Sequence, residues 1–298
     1  MFIWSNPGCP AHPKTGLATA LLVAGAVPLT VAAQEAGTGE LARVQANVAG
    51  REFQVFTYRP QNCASPSILM VFHGNGRGAQ SYLKSARDLA DRGCFVVYAP
   101  LFDDDRFPNW SYHRGGLVHD GKMLPEDSWT TDVVDDLVDW ARAQEGRPDA
   151  QSYLFGHSAG GQFLSRVAAY DLPDNVERII IANPSTYVLP TEDEAAPYGF
   201  GGIPEDQAEQ WLRAYLAAPV TIFLGSEDTG AKDLTMNQQA VRQGDNRVDR
   251  GQRTFEAAKR AAAQHGWPFN WELVYADDVG HSGRGMLTAN EMIEAMGF

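Results

Sequence analysis

The sequence predicts an α/β fold in which helices cover both faces of a mostly parallel sheet. From Leu41 onward, short apolar runs alternate with stretches of helical spacing, and this order builds a parallel sheet. Several of the runs are continuously apolar, as in strands that are buried on both faces. The chain has 298 residues, 44% of them hydrophobic, which suits one large domain with a sizeable core.

The elements begin with an antiparallel hairpin. Residues Arg43–Val48 and Glu52–Tyr58 alternate polar and apolar side chains around a short turn. Ser67–Phe72 is continuously apolar and predicts the first buried strand, and Pro100–Asp127 predicts a long loop. The remaining patterns predict, in chain order, helix Gln80–Arg92, strand Phe95–Ala99, helix Thr130–Gln144, strand Ser152–Phe155, helix Ala159–Tyr170, strand Ile179–Ala182, helix Pro204–Leu216, strand Val220–Leu224, helix Thr254–His265, strand Trp271–Tyr275 and helix Gly285–Met296.

Residues 1–33 have the features of a secretory signal peptide. Lys14 precedes the uncharged run Leu17–Val31, which is too short to span a bilayer comfortably. The run ends in Val31-Ala32-Ala33, small residues that are typical of a cleavage site. The alternatives are a buried helix and an uncleaved anchor, and the glycine and proline within the run disfavour a packed helix. We therefore expect a secreted or periplasmic protein without stable membrane insertion after cleavage.

One domain is expected over residues 34–298, with a small cap insertion at residues 185–218. The insertion follows the sixth strand, where a cap over an active site could lie. The net charge of −13 and the scattered lysines and arginines exclude nucleic acid as a partner. Asp103–Asp105 lack the alternation of an EF-hand, and no histidine pair has zincin-like spacing with a glutamate. We expect no metal and no cofactor.

Two cysteines of the mature chain precede predicted strands. Cys63 lies just before the strand at Ser67, and Cys94 lies just before the strand at Phe95. If those strands are parallel neighbours, both cysteines lie at the same edge of the sheet. The alternative is a pair of unpaired buried thiols. An oxidising compartment favours a Cys63–Cys94 disulfide.

The strongest chemical signal is Gly156-His157-Ser158-Ala159-Gly160. It fits G-x-S-x-G and lies between a predicted strand and a predicted helix, where a serine on a tight turn exposes its hydroxyl and larger neighbours would collide. The alternative is an ordinary glycine-rich turn in which Ser158 caps a helix. The strand–turn–helix setting favours Ser158 as a nucleophile.

A serine nucleophile needs a base and a carboxylate that orients the base. Of the two histidines after Ser158, His265 ends a helix, whereas His281 follows the last predicted strand. His281 is therefore the expected base. Asp228 follows another strand and is the expected acid, with Glu227 as the close rival.

Acyl transfer also requires N–H donors for the oxygen that becomes negatively charged. The glycine-rich segment that starts at His73 follows a buried strand, and we expect the backbone amides of Asn75 and Ala159 to form this oxyanion hole. A phosphate loop is excluded because no Lys-Ser/Thr pair follows. His73 is expected to brace the loop. Trp110 and Tyr112 are candidates for substrate contacts or for buried packing.

These motifs resemble those of the α/β-hydrolase superfamily, over about Leu41 to Phe298. The resemblance rests on His73-Gly74-Asn75-Gly76, on the segment around Ser158, and on Asp228 and His281, all in the order of the family. Within the superfamily the chain is similar to secreted esterases related to poly(3-hydroxybutyrate) depolymerases and feruloyl esterases, although the closest depolymerases have His-Gly-Cys at the first motif. The resemblance implies an eight-stranded, mostly parallel sheet and hydrolysis through an acyl-enzyme.

The sequence thus predicts a serine esterase that acts on a small-molecule or polymeric ester. One alternative keeps the triad and changes the bond or the acceptor, as in a serine peptidase or an acyltransferase. The other is a non-catalytic binding protein on the same fold. A full set of triad candidates in family order argues against the binding protein.

Overall fold

The structure, a computed structural model, describes Gly39 and residues 41–298. The predicted signal peptide lies outside these residues. The strands are β1 Leu41–Val48, β2 Arg51–Tyr58, β3 Ser67–Phe72, β4 Phe95–Pro100, β5 Val118–His119, β6 Lys122–Met123, β7 Ser152–His157, β8 Val176–Ala182, β9 Val220–Gly225 and β10 Glu272–Ala276. Eight of them form one sheet in the order β1-β2-β4-β3-β7-β8-β9-β10, and β5 and β6 form a separate two-stranded hairpin.

The helices connect the strands and cover the sheet. They are α1 Ala79–Gly93, α2 Asn109–Tyr112, α3 Val133–Gln144, α4 Ala159–Tyr170, α5 Glu205–Ala217, α6 Gln238–Gln243, α7 Arg247–His265, α8 Gly283–Thr288 and α9 Met292–Ala295. Among the described residues, no helix is long and apolar enough to cross a membrane.

The sheet is parallel from β4 to β10, while β1 and β2 pair antiparallel at one side. Parallel strands that are neighbours place their carboxyl ends at the same edge of a sheet, and ligand sites of open α/β sheets lie outside that edge. The loops after β3, β7, β9 and β10 therefore leave from one edge. This edge carries every polar residue that the sequence selected for chemistry.

The core lies on both faces of the sheet. In β3, Ile68, Met70 and Phe72 pack on the face that α3, α4, α5 and α7 cover. Leu69 and Val71 point to the opposite face and pack with α1, α8 and α9. All five side chains are fully buried. The continuous apolar run in the sequence thus follows from a central strand that contacts helices on both sides.

Most predicted elements are confirmed, and the differences have local causes. Helix α7 begins at Arg247, seven residues before the predicted Thr254, because Asn246 caps it by accepting a hydrogen bond from the Asp249 N–H. Two arginines in its first turns are buried. Because arginine is charged, the sequence pattern did not count these positions as part of the apolar face of the helix. The last predicted helix is divided into α8 and α9. The predicted long loop contains α2 and the β5–β6 hairpin.

The predicted insertion at residues 185–218 contains helix α5. Its aromatic side chains contact neighbouring elements, Trp211 with Tyr170 at 5.9 Å and Tyr215 with Trp271 at 4.6 Å between ring centroids. These contacts place α5 in the helical layer on one face of the sheet. That the insertion also caps a site stays a prediction.

The two cysteines are bridged as predicted. Cys63 and Cys94 precede the parallel neighbours β3 and β4, and their Cα atoms are 5.6 Å apart. The residues that follow them pair directly, Ser67 with Phe95. The bridge ties the entry of β3 to the end of α1, across 31 residues of chain.

Removing this disulfide is expected to destabilise the fold. A loop of this length stabilises by about 3–4 kcal/mol in the chain-entropy treatment. The double variant Cys63→Ser/Cys94→Ser should lose about 3 kcal/mol in urea unfolding at neutral pH. The wild type unfolded with a reducing agent serves as the control and should lose a similar amount. An unchanged midpoint in both samples would contradict the bridge.

Candidate active site

Ser158 lies on a strained turn between β7 and α4. Its backbone has φ 57° and ψ −111°, a conformation that non-glycine residues rarely adopt. The turn is tight because its neighbours are glycines. A Cβ atom at Gly156 would collide with the carbonyl oxygen of Gly160, and one at Gly161 would lie 2.8 Å from the Ala182 carbonyl oxygen. The sequence pattern therefore folds into a turn that presents the hydroxyl of Ser158 at the carboxyl edge.

His281 contacts Ser158 on one side and Asp228 on the other. Its Nε2 atom is 3.1 Å from the Ser158 Oγ atom, and its Nδ1 atom is 2.7 Å from the Asp228 Oδ2 atom. The Asp228 contact is that of a charge-assisted hydrogen bond. An Nδ1–H that donates to Asp228 leaves Nε2 free to accept the serine proton. The structure brings these three side chains together from positions 158, 228 and 281.

Asp228, and not Glu227, faces His281. The Asp228 residue is only 2% exposed, whereas Glu227 is exposed. The second oxygen of Asp228 pairs with the Nη1 atom of Arg247 at 3.3 Å, and that arginine is 1% exposed. A buried carboxylate needs such partners, because an unpaired buried charge costs several kcal/mol. The pair fixes the carboxylate against the His281 ring.

Arg247 belongs to the first turn of α7 and joins the loop after β9. Its Nη2 atom donates to the Lys232 carbonyl at 2.8 Å, in addition to the Asp228 contact. Burial lowers the pKa of this guanidinium, while the Asp228 carboxylate opposes that shift. Arginine remains charged at any working pH. Arg247 therefore supplies a permanent positive charge behind Asp228, a role that sequence reasoning missed.

The loop after β3 lies beside Ser158. A Cβ atom on Gly74 would lie 3.5 Å from the Ser158 Cβ atom, so the backbone of this loop runs next to the hydroxyl. Asn75 follows Gly74 and is exposed, and Ala159 is the first residue of α4, whose first backbone N–H groups have no acceptor within the helix. The two predicted oxyanion donors thus belong to the loop after β3 and to the first residue of α4, and their role stays a prediction.

His73 braces this loop, as the sequence predicted. The His73 ring is fully buried. Its Nε2 atom accepts a hydrogen bond from the Phe102 N–H at 3.1 Å, and its Nδ1 atom is 2.9 Å from the Gly74 carbonyl oxygen, to which it donates. Burial lowers the pKa of His73 to about 4. A neutral His73 therefore fastens the loop after β3 to the loop after β4.

Tyr112 is not a surface residue, which corrects its candidacy as a substrate contact. The side chain is fully buried, its hydroxyl donates to the His73 carbonyl at 2.8 Å, and its ring stacks on Phe102 with centroids 4.8 Å apart. Tyr112 supports the loop from below. Trp110 is half-buried against His119 and lines a cavity of about 540 Å³ whose lining includes no triad candidate.

Two of the three aspartates in the run Asp103–Asp105 pair with arginines. Asp103 pairs with Arg106 at 2.6 Å and Asp104 with Arg77 at 2.8 Å. Within residues 41–298 and Gly39, no group of three or more His, Cys, Asp or Glu side chains lies close enough to hold a metal ion.

Comparisons with known proteins agree with this architecture. The family model for the α/β-hydrolase fold matches residues 67–270. The chain belongs to the α/β-hydrolase family. A comparison with curated proteins finds no match. The matched span includes Ser158 and Asp228, and the chain is therefore a hydrolase by family.

Several solved structures are similar to this chain. A poly(3-hydroxybutyrate) depolymerase from Bordetella parapertussis shares 34% identity, with 86% of this chain and 90% of that chain covered and a TM-score of 0.78. Poly(aspartic acid) hydrolase-1 from Sphingomonas sp. KT-1 shares 29% identity over 88% of this chain and 98% of that chain, with a TM-score of 0.79. An esterase from Pyrobaculum calidifontis, 15% identical over 89% and 84% of the two chains with a TM-score of 0.51, shows the fold alone.

The buried, neutral state of His73 predicts a pH-dependent stability. Its folded pKa of about 4 lies below the unfolded value of 6.5, so the unfolded chain takes up the proton first as pH falls. The stabilisation is present above pH 6.5 and is lost as the pH falls towards 4. The His73→Asn variant should be less stable than wild type at pH 7.5, and the gap should narrow by about 3 kcal/mol at pH 4. Urea unfolding at both pH values measures this, and a constant gap would contradict it.

Proposed function

We propose that this hydrolase cleaves carboxylic esters through an acyl-enzyme on Ser158. The observation that carries the proposal is the hydrogen-bonded series Ser158–His281–Asp228 at the carboxyl edge of the sheet. In the first step, the Nε2 atom of His281 takes the Ser158 proton while Oγ attacks the ester carbonyl. His281 then returns the proton to the leaving alcohol. Water attacks the acyl-enzyme by the same route and releases the acid.

Three further groups would stabilise the transition state. The backbone N–H groups of Asn75 and Ala159 would donate to the oxyanion, and each such donor is worth about 10²–10³ in rate. Asp228, held by Arg247, would stabilise the imidazolium that forms on His281. Each of these groups would act through hydrogen bonds or charge.

The substrate class proposed is an ester of a hydroxy acid, in polymeric or small form. The support is the 34% identity with a poly(3-hydroxybutyrate) depolymerase over most of both chains. A second candidate is the hydrolysis of an amide, and the observation that favours it is the 29% identity with a poly(aspartic acid) hydrolase. An acyltransferase would use the same triad with another acceptor.

We also propose that the protein acts outside the cytoplasm. The predicted signal peptide at residues 1–33 and the Cys63–Cys94 disulfide support this location together, because structural disulfides persist in oxidising compartments. A polymeric substrate too large to enter a cell would require a secreted enzyme, whereas soluble oligomers could also reach a periplasmic one.

The proposed chemistry is tested with an active-site probe and a substrate panel. A fluorophosphonate should label the wild type on Ser158, and the Ser158→Ala variant should not be labelled. Short-chain p-nitrophenyl esters and soluble 3-hydroxybutyrate oligomers should be hydrolysed, and matched p-nitroanilides and aspartate oligomers should not.

The controls separate the alternatives. The Ser128→Ala variant removes an exposed hydroxyl that donates to the Pro125 carbonyl within its own turn, and it should keep both labelling and turnover. Turnover of the amides alone would select the second candidate. A folded wild type that neither labels nor turns over any substrate would overturn the proposal.

A further inference from the structure

Tyr82, which is partly buried, and His157, which is buried, form a polar pair next to the proposed triad. The Tyr82 hydroxyl, on α1, lies 2.7 Å from the Nδ1 atom of His157. Burial raises the pKa of Tyr82 to about 12 and lowers the pKa of His157 well below its usual value. The tyrosine therefore stays protonated, and its hydroxyl donates a hydrogen bond to Nδ1. His157 is neutral and carries its own proton on Nε2.

The ring of His157 lies against the ring of His281. Their centroids are 4.8 Å apart and their planes are inclined by 35°. The two nitrogens of His281 are engaged by Ser158 and Asp228, and the contact with His157 is made by the ring itself. The His281 side chain is 26% exposed, so protein atoms enclose the ring only in part. His157 supports a face of the ring.

Tyr82 also contacts the two loops on either side of the triad. A Cβ atom on Gly74 would lie 2.7 Å from the Tyr82 hydroxyl oxygen, and one on Gly283 would lie 2.6 Å from it. Gly74 belongs to the loop that carries Asn75, and Gly283 follows His281 by two residues. Both glycines are explained by the close approach of Tyr82. The Tyr82 phenol thus packs against the loop after β3, the loop that carries His281, and the His157 ring.

Stability alone does not account for this pair. The Nε2 atom of His157 has no hydrogen-bond partner among the described residues, although it is buried. An unpaired buried donor costs about 1–3 kcal/mol, and an apolar pair of the same shape would avoid this cost. A costly polar pair in contact with His281 points to a function in the reaction.

We propose that Tyr82 and His157 are positioning residues that hold the His281 ring and the Gly74 loop in register with Ser158. The inference rests on the proposed function, because it assigns a role towards the same triad. Among the described residues, neither side chain forms a hydrogen bond with Ser158 or Asp228. They act through His281, whose 3.1 Å contact with the Ser158 hydroxyl depends on the orientation of the ring.

The test compares Tyr82→Phe with Tyr170→Phe. Each variant removes one tyrosine hydroxyl that donates a hydrogen bond. Tyr170 lies on α4 and donates to the Gly199 carbonyl, which belongs to neither the His281 loop nor the loop after β3. Tyr82→Phe should lower kcat for p-nitrophenyl acetate about tenfold and leave KM within twofold, because a small misplacement of a reacting group affects the chemical step. Tyr170→Phe should keep kcat. The rate of fluorophosphonate labelling should follow kcat in both.

A double-mutant cycle adds a second readout. The His157→Phe variant keeps an aromatic ring beside His281 but removes the acceptor for Tyr82, and its loss should be similar to that of Tyr82→Phe. The two residues share one hydrogen bond. The kcat of the Tyr82→Phe/His157→Phe variant should therefore be no lower than that of the less active single variant. Multiplicative losses would contradict a shared role, as would wild-type kcat in both single variants.

The labelling experiment distinguishes this inference from the proposed function. If the wild type does not react with the fluorophosphonate, the proposed function fails. If the wild type reacts at Ser158 and both folded single variants react at the wild-type rate, the positioning role fails and the function stands. Circular dichroism and urea unfolding confirm that each variant is folded before its rates are compared.

Discussion

The hydrogen bonds on the two nitrogens of His281 connect parts of the chain that are far apart in sequence. Ser158 lies 123 residues before His281, and Asp228 lies 53 residues before it. The loops that carry these three residues follow parallel strands of one sheet, and the sheet brings them together at one edge. The buried ion pair between Asp228 and Arg247 then fixes the carboxylate. The rest of the site is arranged around the position of this imidazole.

Close backbone packing makes that arrangement possible. The turn at Ser158 is tight because glycines allow β7, α4 and the end of β3 to approach one another, and a Cβ atom at Gly160 would collide with the carbonyl oxygen of Phe72. His73 and Tyr112 support the neighbouring loop through buried hydrogen bonds. The strained turn therefore depends on these buried contacts, because backbone strain of about 1–3 kcal/mol persists only where the surrounding structure holds the residue in place.

The sequence predicted the central sheet and the triad candidates because both have local signatures. Continuous apolar runs such as Ser67–Phe72 identify buried strands, and the position of Asp228 or His281 just after a strand places it at the functional edge. The sequence could not decide between Asp228 and Glu227, since burial depends on α7, which packs from elsewhere. Arg247 and Tyr82 were missed because each lies within a helix and belongs to no motif that marks a site. For Tyr112 the sequence left substrate contact and buried packing open, and the structure shows buried packing.

The measurement that tests the account most directly compares kcat for two neighbouring acids. Asp228→Asn keeps the shape of the side chain but removes the charge that orients His281, and kcat for a short-chain ester should fall by about 10⁴, with the fold intact. Glu227→Gln is the matched control, one residue away and exposed, and its kcat should stay within about twofold of wild type. A collapse of kcat in Glu227→Gln, or retention of more than about a tenth of kcat in Asp228→Asn, would contradict a triad built on the buried carboxylate.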